Sequence, residues 1–401
     1  MTTVESSAPP PPSAPSERAS WQAWSRVAAV AVGIFAMVTA EQLPVGLLTS
    51  VGSELAVSAG TVGLTVTVPG VVAAIAAPVI PLAVGTLDRR VLLVALVALL
   101  ALANLVSALA SSFPVLLTAR VLVGMTIGGF WAIAGSVATR LVPPHQVARA
   151  TTVIFSGVAA ANVFGVPVGT VLGDLAGWRT AFAVLGALSA LVLVSLTLLL
   201  PRLPATEPVR GRQLLRQLRH RPVLAGVIAT FLLVTGHFAA YTFVSPALQM
   251  ISGIPGGAIG ALLLAYGAAG IVGNFGAGIA AGRSVRRTVL AISLVLALVL
   301  VLFPVLGGTT SAGITLLVLW GLAFGGVSVS LQTWMLKAAP ADTEAASALW
   351  VSMFNLSIAL GALAGGTVVD ASSPAGALWL AGGLVALTLL AVRSTRGARL
   401  D

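Results

Sequence analysis

Twelve apolar stretches, each long enough to cross a lipid bilayer, decide what this chain can become. They fall near residues 26–49, 58–82, 91–112, 114–138, 146–173, 179–200, 222–249, 256–281, 288–307, 311–336, 343–369 and 374–392. A spanning helix needs about 20 predominantly apolar residues. Inside hydrocarbon each segment must satisfy its own backbone N–H and C=O groups, so runs of this length read as helices. The charge content agrees. Only 8% of the 401 residues are Asp, Glu, Lys or Arg, against about 25% in a soluble domain. The expected fold class is therefore all-α, a membrane protein of twelve transmembrane helices.

The net charge of +10 would suggest nucleic acid in a soluble protein. Its distribution says otherwise. With twelve crossings both termini share one side of the membrane. The gaps on that side hold Arg18, Arg26, Arg89, Arg90, Arg140, Arg149, Arg202, Arg210, Arg212, Arg216, Arg219, Arg221, Arg283, Arg286, Arg287, Lys337, Arg393, Arg396 and Arg399, which is 19 of the 21 basic residues. Arg179 lies in an opposite gap and Arg120 inside the fourth run. Lys and Arg crowd cytoplasmic loops, so both termini are expected in the cytoplasm and no nucleic-acid partner is expected. The absence of cysteine excludes disulfides, thiolate catalysis and cysteine-ligated metal. His145, His220 and His237 are too scattered for a metal site, and no phosphate-binding glycine loop or close pair of intramembrane acids is present. Neither an enzyme nor a resident cofactor is expected.

The Pro/Ser/Ala-rich segment 1–20 cannot bury enough apolar surface to order itself. It lacks the plan of a signal peptide, so it reads as a disordered cytoplasmic tail. The basic segment 201–221 reads as a cytoplasmic linker between a six-helix half at 21–200 and a second at 222–393, with a short tail at 394–401. The halves are related. Val38-Thr39-Ala40-Glu41 aligns with Val234-Thr235-Gly236-His237 at a separation of 196 residues. The same separation carries Gly165, Gly169 and Asp174 onto Gly361, Gly365 and Asp370. Two six-helix repeats with a site between them near the midplane is one known transporter plan.

Few residues inside the runs can carry chemistry. Glu41 stands about fifteen residues into the first run, among apolar neighbours. Intramembrane acids are costly and functional by default, and burial favours the protonated form. Glu41 is the candidate proton carrier. Arg120 keeps its charge and must face a partner, carbonyls or water; it is expected to tune Glu41 or follow the substrate. His237, in the repeat position of Glu41, titrates near neutral pH. It joins Tyr241, Phe130, Trp131, Asn274, Gln332, Trp334 and Asn355 as candidates for substrate contact through stacking or hydrogen bonds. Gly165, Gly169 and Gly173 recur every four residues, with Pro167 between them. Such spacing gives a flat face for close helix packing.

These motifs resemble a known family. The segment Leu116–Gly124, LLTARVLVG, is similar to the helix 4 motif of the major facilitator superfamily. Gly85-Thr86-Leu87-Asp88-Arg89-Arg90 resembles a shortened form of its loop 2–3 signature, which implies a gating role for Asp88, Arg89 and Arg90. The segment Gly165–Phe182, GVPVGTVLGDLAGWRTAF, is similar to the helix 5 motif of drug:proton antiporters. Within that group, Glu41-Gln42-Leu43-Pro44-Val45, Gly129-Phe130-Trp131-Ala132, Arg140-Leu141-Val142-Pro143-Pro144 and Val153-Ile154-Phe155 look most like bacterial purine ribonucleoside efflux permeases. The resemblance implies a monomer with the major facilitator fold in the bacterial plasma membrane, exporting inosine- or guanosine-like compounds against protons. A sugar or drug exporter of the same fold is the nearest alternative. A non-transporting membrane sensor or scaffold is the alternative of another class.

Overall fold

The computed structural model describes residues 20–85, 87–204, 220–340 and 343–393. The expected tail at 1–20 lies outside these except for Ser20, as do most of the linker 201–221 and all of the tail 394–401. The described regular elements are helical, with no strand among them. They are α1 Trp21–Leu55, α2 Ala59–Val84, α3 Arg89–Ala108, α4 Phe113–Leu141, α5 Val147–Ala160, α6 Val166–Ala176, α7 Trp178–Leu199, α8 Arg221–Tyr241, α9 Val244–Ser252, α10 Ile259–Leu306, α11 Thr310–Gly325, α12 Val327–Ala338, α13 Thr343–Ala371 and α14 Pro374–Arg393.

Eleven stretches are long and apolar enough to span a membrane. The eighth and ninth expected runs join into one, Gly256–Leu306, of 51 residues. A straight helix of that length would extend roughly 75 Å, against a hydrocarbon core of about 30 Å. The joined element is not straight. Ser284 interrupts it with an extended backbone (φ −155°, ψ 97°), between Arg283 and the pair Arg286 and Arg287. The sequence separates two runs here because the arginines interrupt hydropathy, while the backbone dihedrals leave the helical region only at the serine.

Other breaks have local causes. Pro167 has no N–H to donate to the carbonyl four residues back. The chain widens just ahead of it into one π-helical turn, Ala161–Gly165, where the Val166 N–H reaches the Ala161 carbonyl. A break at Thr242–Phe243 separates α8 from α9, and one at Gly326 separates α11 from α12. Asp88 caps α3, accepting from the Arg90 N–H at 2.8 Å.

Buried apolar side chains form two clusters. One draws on α1–α7, with Ile34, Leu96, Ile127 and Phe182 at its centre. The other draws on α8–α14, with Leu233, Phe303, Trp320 and Leu331. Val45, Val66 and Val166 cross into the second cluster, and Phe243 crosses into the first.

The glycine stripe faces α1. A methyl group at Gly165 would meet the Thr39 side chain, at Gly169 the Leu43 side chain, and at Gly173 the Leu47 side chain. Side chains four apart on one helix thus fill glycine gaps four apart on the other. The arrangement recurs 196 residues later. Gly361 lies against the Thr235 carbonyl and Gly365 against the Ala239 carbonyl.

Two seams join the clusters, α2 against α13 and α6 against α10. Gly60 adjoins Gly366 and Asp370, Gly63 faces Phe243, and Gly70 abuts Ala359 and the Asn355 backbone. On the other seam Gly260 meets Pro167 and Val171, and Gly267 meets Asn162 and Val163. Seven residues further along the same face of α10, Asn274 is exposed. Seven residues before Val163, Ser156 is exposed as well. The seam is packed toward the Asp174 end of α6, and these flanking positions are exposed toward the end marked by Arg149 and Arg283. Outside, large apolar side chains such as Leu175 (80% exposed), Leu198 (78%) and Phe275 (70%) face outward. Water would not tolerate so large an apolar surface, whereas lipid requires one.

Candidate functional site

Pro44 and Arg120 explain each other. Proline at 44 cannot donate a hydrogen bond to the Ala40 carbonyl one turn earlier, which orphans a buried acceptor inside α1. The guanidinium of Arg120 supplies the missing donor, Nη1 to the Ala40 carbonyl at 2.8 Å. Its Nη2 donates to Ser107 Oγ at 2.9 Å, and its plane lies 5.0 Å from the centre of the Phe182 ring. Arg120 is fully buried. A permanent charge can sit there because α1, α3 and α7 each present something to it.

Glu41 follows the carbonyl that Arg120 holds. It is 7% exposed, and its Oε1 has no hydrogen-bond partner among the described residues. No ion pair reaches it either. The one ion pair among the described residues joins Arg179 to Glu54, where Arg179 also donates to the Ala110 carbonyl and Trp178 donates to Glu54 at 2.7 Å. That pairing neutralises the single arginine found in the gaps opposite the basic side. Arg120 thus lies near Glu41 through the α1 backbone, not through a carboxylate–guanidinium bond.

His237 occupies an aromatic stack. Its ring lies on Phe324 (centroids 3.3 Å apart, 7° between planes) and on Tyr241 (5.0 Å, 20°), and Tyr241 stacks in turn on Tyr266 (5.0 Å, 26°). Trp320 stands edge-on and donates its indole N–H to His237 Nδ1 at 3.0 Å. A nitrogen that accepts carries no proton, so a neutral His237 bears its hydrogen on Nε2. That Nε2 is buried without a partner among the described residues, and so is the Tyr266 hydroxyl. The orphaned groups obey the repeat: Thr39 and Glu41 in α1, Thr235 and His237 in α8.

The remaining expected contacts spread out. Phe130 is buried in the first apolar cluster, and Trp131 packs 5.7 Å from Phe155. Trp334 is buried and donates to the Pro222 carbonyl at 2.9 Å, tying α12 to the start of α8. Asn355 donates to the Val351 carbonyl within its own helix at 2.9 Å. Asn274 and Gln332 are exposed. Tyr266, Trp320 and Phe324 complete the stack and were not among the expected contacts. One signal was present: the chain holds two tyrosines, and they stack on each other.

Asp88, Arg89 and Arg90 gather the start of the linker. Asp88 accepts from the Leu203 N–H at 2.8 Å, and the Arg89 N–H donates to the Leu203 carbonyl at 2.8 Å. Arg90 donates to the Thr197 carbonyl at 2.6 Å, and Arg140 donates to the Pro204 carbonyl. Partial desolvation pushes the Asp88 carboxyl up. The Leu203 and Arg90 amides and the charges of Arg90 and Arg202 outweigh it and hold the group below its ordinary range.

Comparison with known proteins fits this architecture. The chain is 35% identical over 370 residues to the purine ribonucleoside efflux pump NepI of Salmonella paratyphi A, covering 92% of this chain and 93% of that one. The likeness to NepI of Escherichia coli O6:K15:H31 has the same identity and coverage. Among solved structures, a bacterial homolog of the human lysosomal transporter Spinster, in an inward-facing and unoccupied conformation, superposes with a TM-score of 0.74 at 16% identity, covering 93% of this chain and 97% of that one. Residues 30–347 match the Major Facilitator Superfamily. The chain belongs to that superfamily, as a multi-pass membrane transporter and not an enzyme.

Proposed function

We propose that this protein exports purine ribonucleosides such as inosine and guanosine in exchange for protons, by alternating access. The likeness to efflux pumps along nearly the whole chain carries the substrate class. Glu41 supports the coupling. A buried carboxyl with neither an ion-pair nor an Oε1 hydrogen-bond partner among the described residues favours its neutral form and gives up its proton when water reaches it. The purine would be held between the halves, with His237 Nε2 as a donor. Arg120 holds the α1 backbone beside Glu41 and keeps the proton site in register with the first half.

In this reading twelve crossings form two six-helix halves, the break at Ser284 marking the turn between the eighth and ninth. Basic residues face the cytoplasm of a bacterial cell and both termini lie there. The exposed end of the seam then faces the cytoplasm, ready to load. The protein works as a monomer, with lipid as its only obligatory surround. Gating by Asp88, Arg89 and Arg90 acts through their hold on Leu203 and Thr197.

The test uses inverted membrane vesicles, labelled inosine and an imposed pH gradient, acidic inside. Gradient-driven inosine uptake that unlabelled guanosine competes away is expected. Absence of uptake for every nucleoside, with uptake of arabinose or a cationic dye instead, would reassign the substrate.

A further inference from the structure

Asp370 lies in the last turn of α13, where the carbonyl end of a helix disfavours a carboxylate. Its compensation comes from another helix in the other half. Asp370 Oδ2 accepts from Ser58 Oγ at 2.6 Å and Oδ1 accepts from the Gly60 N–H at 2.8 Å. Ser58 and Gly60 form the first turn of α2, whose amides have no partner within their own helix and whose dipole favours an anion. Ser58 Oγ also accepts from the Thr61 N–H at 3.1 Å, so it is fixed in place. A side chain at Gly60 would collide with the Asp370 carboxyl and the Gly366 carbonyl.

The repeat supplies an internal control. Asp174 stands 196 residues before Asp370, also in the last turn of its helix, and makes no hydrogen bond among the described residues. Gly256, the counterpart of Gly60, has no atom within 4 Å of where a Cβ would lie. Two related seams close the same end of the molecule, and a carboxylate bridges one of them.

We propose that Asp370 is a positioning residue for transport: a one-sided latch that caps α2 across the halves and holds this end shut while the other is open. The proposal rests on the alternating-access reading above. When the halves rock, the carboxylate loses both donors and is left against its own helix terminus. The latch therefore weights the equilibrium toward the state open at the basic end, and it touches neither substrate nor proton.

A chain without cysteine allows a direct test by labelling single introduced thiols with a membrane-impermeant maleimide. Val66→Cys reports on the latched end, being buried in the seam, and Ser156→Cys reports on the exposed end. Asp370→Asn is expected to speed labelling at 66 by about three- to tenfold, the weight of one or two charge-assisted hydrogen bonds, and to slow labelling at 156. Ser58→Ala should act in the same direction more weakly, and Asp174→Asn should move neither rate. Unchanged rates at both sites in Asp370→Asn, with the unmutated background switching normally on adding inosine, would overturn the latch alone. Both rates rising together would mark Asp370 as merely structural. A background in which neither site ever switches would overturn rocking and the latch with it.

Discussion

At the scale of single residues, the link between Pro44 and Arg120 is the most testable. Arg120→Met leaves the Ala40 carbonyl unpaired in a buried place, which costs about 1–3 kcal/mol. In a Pro44→Ala background a backbone amide can fill that acceptor, so the same substitution should cost about 1 kcal/mol less. A double-mutant cycle read by thermal unfolding in detergent measures the coupling; strict additivity would refute it. Trp320→Phe removes the donor to His237 Nδ1 and frees the imidazole to exchange tautomers. The expected signature is a mixed tautomer signal in nitrogen NMR and a stability loss of roughly 1–2 kcal/mol. Glu41 and Arg120 stood out in the sequence because a charge within an apolar run is rare. Their relation did not, because it joins residues 80 apart through a carbonyl that proline had orphaned. The aromatic stack was half legible for the same reason: His237 and Tyr241 share one helix, while Tyr266, Trp320 and Phe324 come from two others.

Among the elements, the paired glycine seams make opposite predictions. Gly169 faces the end of the Leu43 side chain, which can swing aside. Gly169→Ala also gains helix propensity of about 1 kcal/mol, so its net effect should stay within about 1 kcal/mol of zero. Gly365 faces the backbone of Ala239, which cannot move alone. Gly365→Ala should therefore cost about 1–3 kcal/mol, seen as a lower melting temperature and slower transport. The staple of Asp88 on Leu203 has a defined pH sign. In the folded protein the Leu203 and Arg90 amides hold its pKa below the ordinary carboxylate value. Its contribution is complete above that value and is lost as pH falls through the folded pKa. At neutral pH, Asp88→Asn should lower the protection of the Leu203 amide against hydrogen exchange, and acidifying the unmutated protein through the folded pKa should do the same once rates are compared with the intrinsic rate at each pH. Helical spans were legible in outline, eleven apolar stretches standing against twelve expected runs, since hydropathy over 20 residues is a strong signal. Helix breaks were less so. The π-turn before Pro167 and the kink at Ser284 depend on local backbone geometry that hydropathy does not register.

For the whole molecule, the prediction concerns coupling. Glu41→Gln retains shape and removes the titration, so exchange of labelled for unlabelled nucleoside in vesicles should persist while uptake driven by a pH gradient disappears. Loss of both would make Glu41 a substrate contact or a structural group. The helical membrane architecture could be read from the sequence because a bilayer allows a chain few choices, and the 196-residue offset relates the glycines of α6 that face α1 to those of α13 that face α8. Which end of the seam between α6 and α10 is packed could not be read, since it depends on contacts between residues about 100 apart in the chain.

The two glycine faces, on α6 and on α13, also differ in how freely their sequences can change. Along α1 each gap opposes a side chain, so a larger residue at 169 can be matched by a smaller one at 43, and the two positions can wander together through sequence space. At 361 and 365 the opposing surface is main chain, which no substitution can trim. Those positions have no compensating partner, so a saturation screen for growth should find them fixed as glycine while 165 and 169 accept small residues. The glycine face of α6 is therefore the freer of the two to vary, and that of α13 the more tightly held.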